Sequence, residues 1–196
     1  MAPELFELDQ YTIRRRVFQL FGASFHAYDP SGRVVGFSKQ KAFRLREDIR
    51  IYPDEDSAKL GDASERAELM VIQARQIIDF SAAYDIVAEE RVGTARRKGF
   101  RSLFRDSWEL TDGNDQPLAR VQEDSQFRAL LRRAIGLIPQ TFHIIGANDA
   151  HYATLRQHFN PFVYKLDVTI APESPLDRRM VFATAVLLAA IEGRQN

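Results

Sequence analysis

The 196-residue chain contains no cysteine. That removes disulfides, thiolate metal sites, cysteine nucleophiles and palmitoyl anchors. It has no surplus of charge either, because Lys plus Arg and Asp plus Glu each number 27. Nucleic-acid binders ordinarily show a basic excess, so no nucleic-acid partner is expected. The opening run Met1 to Glu7 is acidic and has no long apolar stretch, so it does not read as a secretory signal. There is no P-loop, no GxGxxG and no GxSxG, and the four histidines form neither an HxH nor an HxxxH pair. No enzyme class, cofactor or metal is therefore expected, and a cytoplasmic chain is.

Phenylalanine is frequent, at 14 residues, and it recurs within a repeated pattern. Phe25-His26-Ala27-Tyr28 reads as a strand, followed by the turn Asp29-Pro30-Ser31-Gly32, then Val34-Val35-Gly36 and Lys41-Ala42-Phe43. The same order returns at Tyr84 to Val87, Val92-Gly93 and Lys98-Gly99-Phe100. It returns again at Phe142 to Ile145, the turn Gly146 to Asp149, and His158-Phe159. The unit starts lie about 58 residues apart, a spacing of the kind structural repeats use.

Each unit holds a third strand signal, at Ile49 to Tyr52, Trp108 to Leu110 and Leu166 to Ile170. A fourth lies at Leu69 to Ile72 and at Leu118 to Val121; the third unit lacks one, and the N-terminal run from Tyr11 to Phe21 can supply it. Three units of four predict about twelve strands, which can close a barrel and remove its exposed edges. Pro53 to Arg66, rich in Asp, Glu, Ser and Gly, reads as an exposed loop.

Two segments read as helix. One follows Asp124 or Ser125, with Phe127, Leu130, Leu131, Ala134 and Ile138 at helical spacing, and ends at Pro139. The other runs from Met180 to Ile191 without a charge. A helix apolar all round is either a membrane span or the centre of a core. At 1.5 Å per residue this run covers roughly 18 Å, while a bilayer core needs about 30 Å. Burial is the expectation, with no transmembrane segment. A barrel of about twelve strands leaves room for such a helix.

The run Ile78 to Asp85, the run Arg97-Lys98-Gly99-Phe100 with Trp108, and the tail Leu176 to Glu192 resemble the tubby-like superfamily. The nearest branches are the LURP-one-related proteins and the phospholipid scramblases. The resemblance spans roughly Tyr11 to Arg194 of a single domain covering 1–196. It implies a twelve-stranded barrel around a hydrophobic C-terminal helix. It also implies a link to membranes, since tubby domains bind phosphoinositides and scramblases are linked to calcium-dependent lipid movement. The chain departs from scramblases in lacking a Pro-rich N-terminal region and a cysteine cluster. Glu173 and Asp177 do not make an acidic calcium loop, so calcium-triggered scrambling is not expected.

The basic runs carry the functional signal. They are Arg14-Arg15-Arg16, then Lys39 with Lys41, Arg44 and Arg46, then Arg96-Arg97-Lys98 with Arg101 and Arg105. Lys and Arg interleaved with aromatics dock on anionic headgroups. The expected lipid-binding residues are Arg96, Arg97, Lys98 and Arg101, with anionic phospholipid or phosphoinositide as the partner. Against this stands strand alternation, which sends neighbouring residues to opposite faces. The alternative is a soluble protein-interaction or regulatory module. A hydrolase would need carboxylates held in a cleft, and Glu89-Glu90, Glu123-Asp124 and Asp54-Glu55-Asp56 read as solvated turns and loop.

Overall fold

A computed structural model describes residues 3–16, 24–40, 48–59, 67–75, 82–98, 107–124, 139–158, 160 and 163–192, the side chains of Gln40, Lys98, Ser107, Ile191 and Glu192 aside. Its twelve strands are β1 (Gln10–Arg15), β2 (Ser24–Tyr28), β3 (Val34–Gln40), β4 (Asp48–Tyr52), β5 (Met70–Ala74) and β6 (Ala83–Val87), followed by β7 (Arg91–Lys98), β8 (Ser107–Asp112), β9 (Pro117–Glu123), β10 (Thr141–Ile145), β11 (His151–Gln157) and β12 (Lys165–Ile170). Every strand pairs antiparallel with its sequence neighbours, and β1 closes on β12 from Gln10 opposite Thr169 to Arg14 opposite Lys165. Closure leaves no edge strand exposed. The N-terminal strand thus completes the third unit; it ends at Arg15, and Val17 to Phe21 of the expected run lie outside the described residues. The expected helix after Asp124 lies outside the described residues.

The repeat has a structural counterpart that its sequence letters do not display. The opening strands β2, β6 and β10 each break register near their end, between Ala27 and Tyr28, Ile86 and Val87, and Ile144 and Ile145. The bulged residues opposite are Val35, Val92 and Tyr152. A bulge adds one residue to one strand and sharpens its bend, and three in equivalent places help the sheet curl shut.

Alternation decides the two faces. Tyr11, Ile13, Phe25, Ile49, Ile72, Ile86, Leu110, Ile144, Leu155 and Val168 point inward and are buried. The residues between them are mostly polar: Thr12, Arg14, His26, Arg50, Asp85, Arg96, Asp167. Val34 and Leu118 are the only large hydrophobic side chains exposed among the described residues. Among the described residues the outer face therefore shows no apolar band of the kind a membrane-spanning barrel carries.

The C-terminal helix (Arg178–Glu192) fills the lumen. Every residue from Met180 to Ala190 is buried. Ala183, Ala185, Ala189 and Ala190 keep it slim, and its polar Thr184 donates its hydroxyl to the Met180 carbonyl at 2.8 Å. Phe182 packs against Tyr11 at 5.6 Å and edge-on against Phe6 at 6.0 Å between ring centroids. No helix among the described residues is long and apolar enough to cross a membrane.

Two features go beyond the sequence reading. A 3-10 turn at Glu4–Glu7 buries Leu5 and Phe6 at the mouth where the helix enters. The core thus begins before Tyr11. The loop after β4 is not simply solvated: its residues 53–59 lie against the outer wall, where Ala58 joins Phe37 and Tyr52 in a second small core.

Asp177 caps the helix by accepting the Arg179 amide at 2.8 Å, and it pairs with the Arg179 guanidinium at 2.6 Å. Asp177→Ala is expected to cost about 1 kcal/mol, the usual loss for a removed cap. Asp177→Ser should recover most of it by keeping a capping oxygen. Urea denaturation of the three proteins measures this.

Candidate functional site

In an up-and-down barrel, alternate connections open at alternate ends. The turns at 29–33, 88–90, 113–116 and 146–150, the segment 171–177 and the Glu4–Glu7 turn all lie at the end where the C-terminal helix enters. This end is acidic, with Glu4, Asp9, Asp29, Glu90, Asp115 and Asp177 among its carboxylates. The described arginines there are engaged. Arg33 pairs with Asp29 and Glu4, Arg178 with Asp9, and Arg179 with Asp177. Arg91 reaches Asp115 at 2.6 Å and Asp85 at 3.3 Å.

The opposite rim carries the basic runs. Arg14 on β1, Lys39 on β3, Arg96 on β7 and Arg156 on β11 lie near strand ends there, face outward and are exposed. None of these four makes an ion pair with a described residue. Arg14 stands directly opposite Lys165 across the barrel's closing seam. Like charges placed so repel one another, and an anion between them relieves the repulsion. The connections that begin and end at this rim carry Phe18, Phe21, Phe43, Phe100 and Phe104 among further Lys and Arg residues in their sequences.

The expected lipid-binding set divides. Arg96 is outward and exposed. Arg97 is half-buried on the same face as Trp108, its direct cross-strand partner, and it makes interactions of its own. The Lys98 side chain and the whole of Arg101 lie outside the described residues. Alternation thus separates Arg96 from Arg97, while topology brings Arg96 onto one rim with Arg14, Lys39 and Arg156. Sequence reading named those residues in separate runs, or, for Arg156, not at all. The missing signal was the end to which each strand points.

Other charged groups form local networks on the outer wall. Burial raises the Asp85 pKa, but hydrogen bonds from Arg75 at 2.6 Å and Thr94 at 2.9 Å outweigh it and hold the carboxyl below its ordinary value of 3.8. Asp167 and Asp177 show the same balance: burial raises each, and hydrogen bonds (from Thr12 and His158 to Asp167, from Arg179 to Asp177) bring the net shift below 3.8. Groups whose pKa falls on folding stabilise the fold above their unfolded pKa, and that contribution is lost as pH drops through the folded value. The urea midpoint should therefore hold above pH 4 and decline below 3.8. Asp85→Asn should flatten that acid limb.

Sequence alternation puts His26 and His143 on the outer face, and there they are. The His26 ring lies 5.0 Å from that of Phe37, tilted at 55°, and faces Glu55 at 3.4 Å. His158 pairs with Asp167. No group of three or more His, Asp or Glu is placed to hold a metal among the described residues. Glu90 and Glu123 lie near opposite ends of the barrel and share no cleft. Inside, burial pushes the Tyr11 hydroxyl pKa upward. No family model, curated protein or solved structure matches this chain.

Proposed function

We propose that the chain is a non-enzymatic, tubby-like domain of the LURP-one-related or scramblase-like kind, and that it associates peripherally with anionic phospholipid on a cytoplasmic membrane face. One observation carries the reading: four exposed cations spread around one rim, Arg14, Lys39, Arg96 and Arg156, make no ion pair with a described residue, while Arg33, Arg91, Arg178 and Arg179 toward the other end are paired with carboxylates. A net charge of zero conceals this separation along the barrel axis. A flat anionic surface meeting the barrel end-on reaches Arg14, Lys39, Arg96 and Arg156 together, and the acidic end points away.

Each Lys or Arg close to an anionic leaflet contributes roughly 1 kcal/mol, screened by salt. A few such groups give reversible attachment with no inserted helix. The test is flotation with phosphatidylcholine vesicles, with and without phosphatidylserine. Wild type is expected to float only with the anionic vesicles and to release at high salt. The Arg14→Ala, Lys39→Ala, Arg156→Ala triple variant should lose on the order of 100-fold in affinity, by the same 1 kcal/mol per charge. Arg96→Ala, Arg97→Ala, Lys98→Ala should lose less, because Arg97 is half-buried. Equal binding by all three proteins, or none by wild type at low salt, refutes the proposal; in the second case a protein-interaction module becomes the better reading.

A further inference from the structure

The β10–β11 hairpin brings together two histidines that lie eight residues apart in sequence. His143 faces outward from β10, and His151 opens β11. His143 Nδ1 lies 3.4 Å from His151 Nε2. The Thr154 hydroxyl lies 2.9 Å from the same His151 nitrogen and 3.4 Å from His143 Nδ1. The rings are inclined at 62° with centroids 5.5 Å apart. They are not stacked; they turn nitrogen edges toward a common point.

We propose that His143 and His151 form an exposed site for a divalent transition-metal ion of the zinc class, with the Thr154 oxygen at its third corner and solvent completing the shell. Two imidazoles on one tetrahedral zinc, each bonded at 2.0–2.1 Å, hold their ligating nitrogens about 3.3 Å apart. The pair stands close to that separation, at 3.4 Å. Zinc, copper and nickel suit imidazole, whereas magnesium and calcium require oxygen donors.

The bulge explains why the pair exists. Inward and outward residues alternate along β11, and Ala153 and Leu155 point inward. Unbroken alternation would turn His151 inward as well. The register shift at Ile144/Ile145 sets His151 opposite Ile145 and re-aims it outward, over His143. Burial, then the neighbouring charge of His143, lowers the His151 pKa from its ordinary value.

The site is independent of the basic rim. It lies toward the acidic end, and it binds a cation where the rim binds anions. It stands on the wall and does not hold the fold together.

Isothermal titration of the full chain with zinc chloride at neutral pH tests the proposal, with magnesium chloride as the comparison. The expected result is one zinc per chain and no magnesium binding. His143→Gln and His151→Gln should each weaken zinc by at least about tenfold, since changes beyond the ligands themselves already cost 10–100-fold at metal sites. Thermal unfolding of the two variants without metal should match wild type, which separates ligand loss from misfolding. Absence of zinc binding overturns the proposal. So does zinc binding that both variants retain, because His26 or His158 would then be the ligand.

Discussion

Deleting residues 177–196 is expected to abolish folding of the barrel. Met180, Val181, Phe182, Val186, Leu187 and Leu188 are all buried in the lumen. Burying one such side chain contributes roughly 1.5–3 kcal/mol, so these six together contribute about 10 kcal/mol. A whole domain has only about 5–15 kcal/mol of net stability. The truncated chain would also expose the inward face of all twelve strands, including Tyr11, Ile13, Ile72 and Leu155, around an empty lumen. Circular dichroism should show loss of cooperative unfolding, and size-exclusion chromatography should show aggregates. A monomeric, cooperatively folded truncate would refute the view that the helix is the core. A milder substitution tests the same packing. Ala185 is fully buried, and Ala185→Trp should destabilise by about 1–3 kcal/mol or more through overpacking.

The lumen helix was legible in sequence because two independent constraints agreed. The run from Met180 to Ile191 is too short to span a bilayer and too uniformly apolar to lie on a surface. Strand count and pairing were legible for a different reason. The interior needs an apolar residue at every second position, so most strands announce themselves, and three similar units gave the number; β11, whose inward residues are Ala153 and Leu155, was covered by the count alone. The N-terminal turn was not legible. Leu5 and Phe6 are separated from the strands by polar Glu7 and Asp9, and their burial depends on the mouth that Phe182 fills. The basic rim was half legible. Arg96 stood out as part of a dense run, but Arg97 beside it faces the other way. Arg156 has no basic neighbour in sequence and joins Arg14 only through the topology. His143 and His151 were hidden by a bulge, a backbone irregularity that leaves no mark in the residue pattern.

Gly93 is expected to be the least replaceable residue of the barrel wall. It lies on β7 opposite Ile86 of β6 and Asp112 of β8. A Cβ placed there would sit 2.1 Å from the Thr111 carbonyl oxygen and 2.4 Å from Met180 Cε. The two conflicts differ in kind. Met180 is a flexible side chain and can swing aside. The Thr111 oxygen is fixed in the β8 backbone, and moving it opens the β7–β8 ladder of a closed barrel, where no edge is free to yield. Gly36 makes the contrast: its nearest obstacle, at 2.8 Å, is the end of the Leu5 side chain. Gly93→Val should therefore destabilise at or above the top of the 1–3 kcal/mol range typical of overpacking, and Gly36→Ala should stay near its lower end. Urea denaturation of both variants decides the order. Adding Met180→Ala to Gly93→Val clears the helix contact and leaves the backbone one, so it should restore no more than a minor part of the loss. Full recovery would place the conflict in the lumen and not in the wall. A Gly93→Val protein as stable as wild type would contradict the close approach of β7 and β8 altogether.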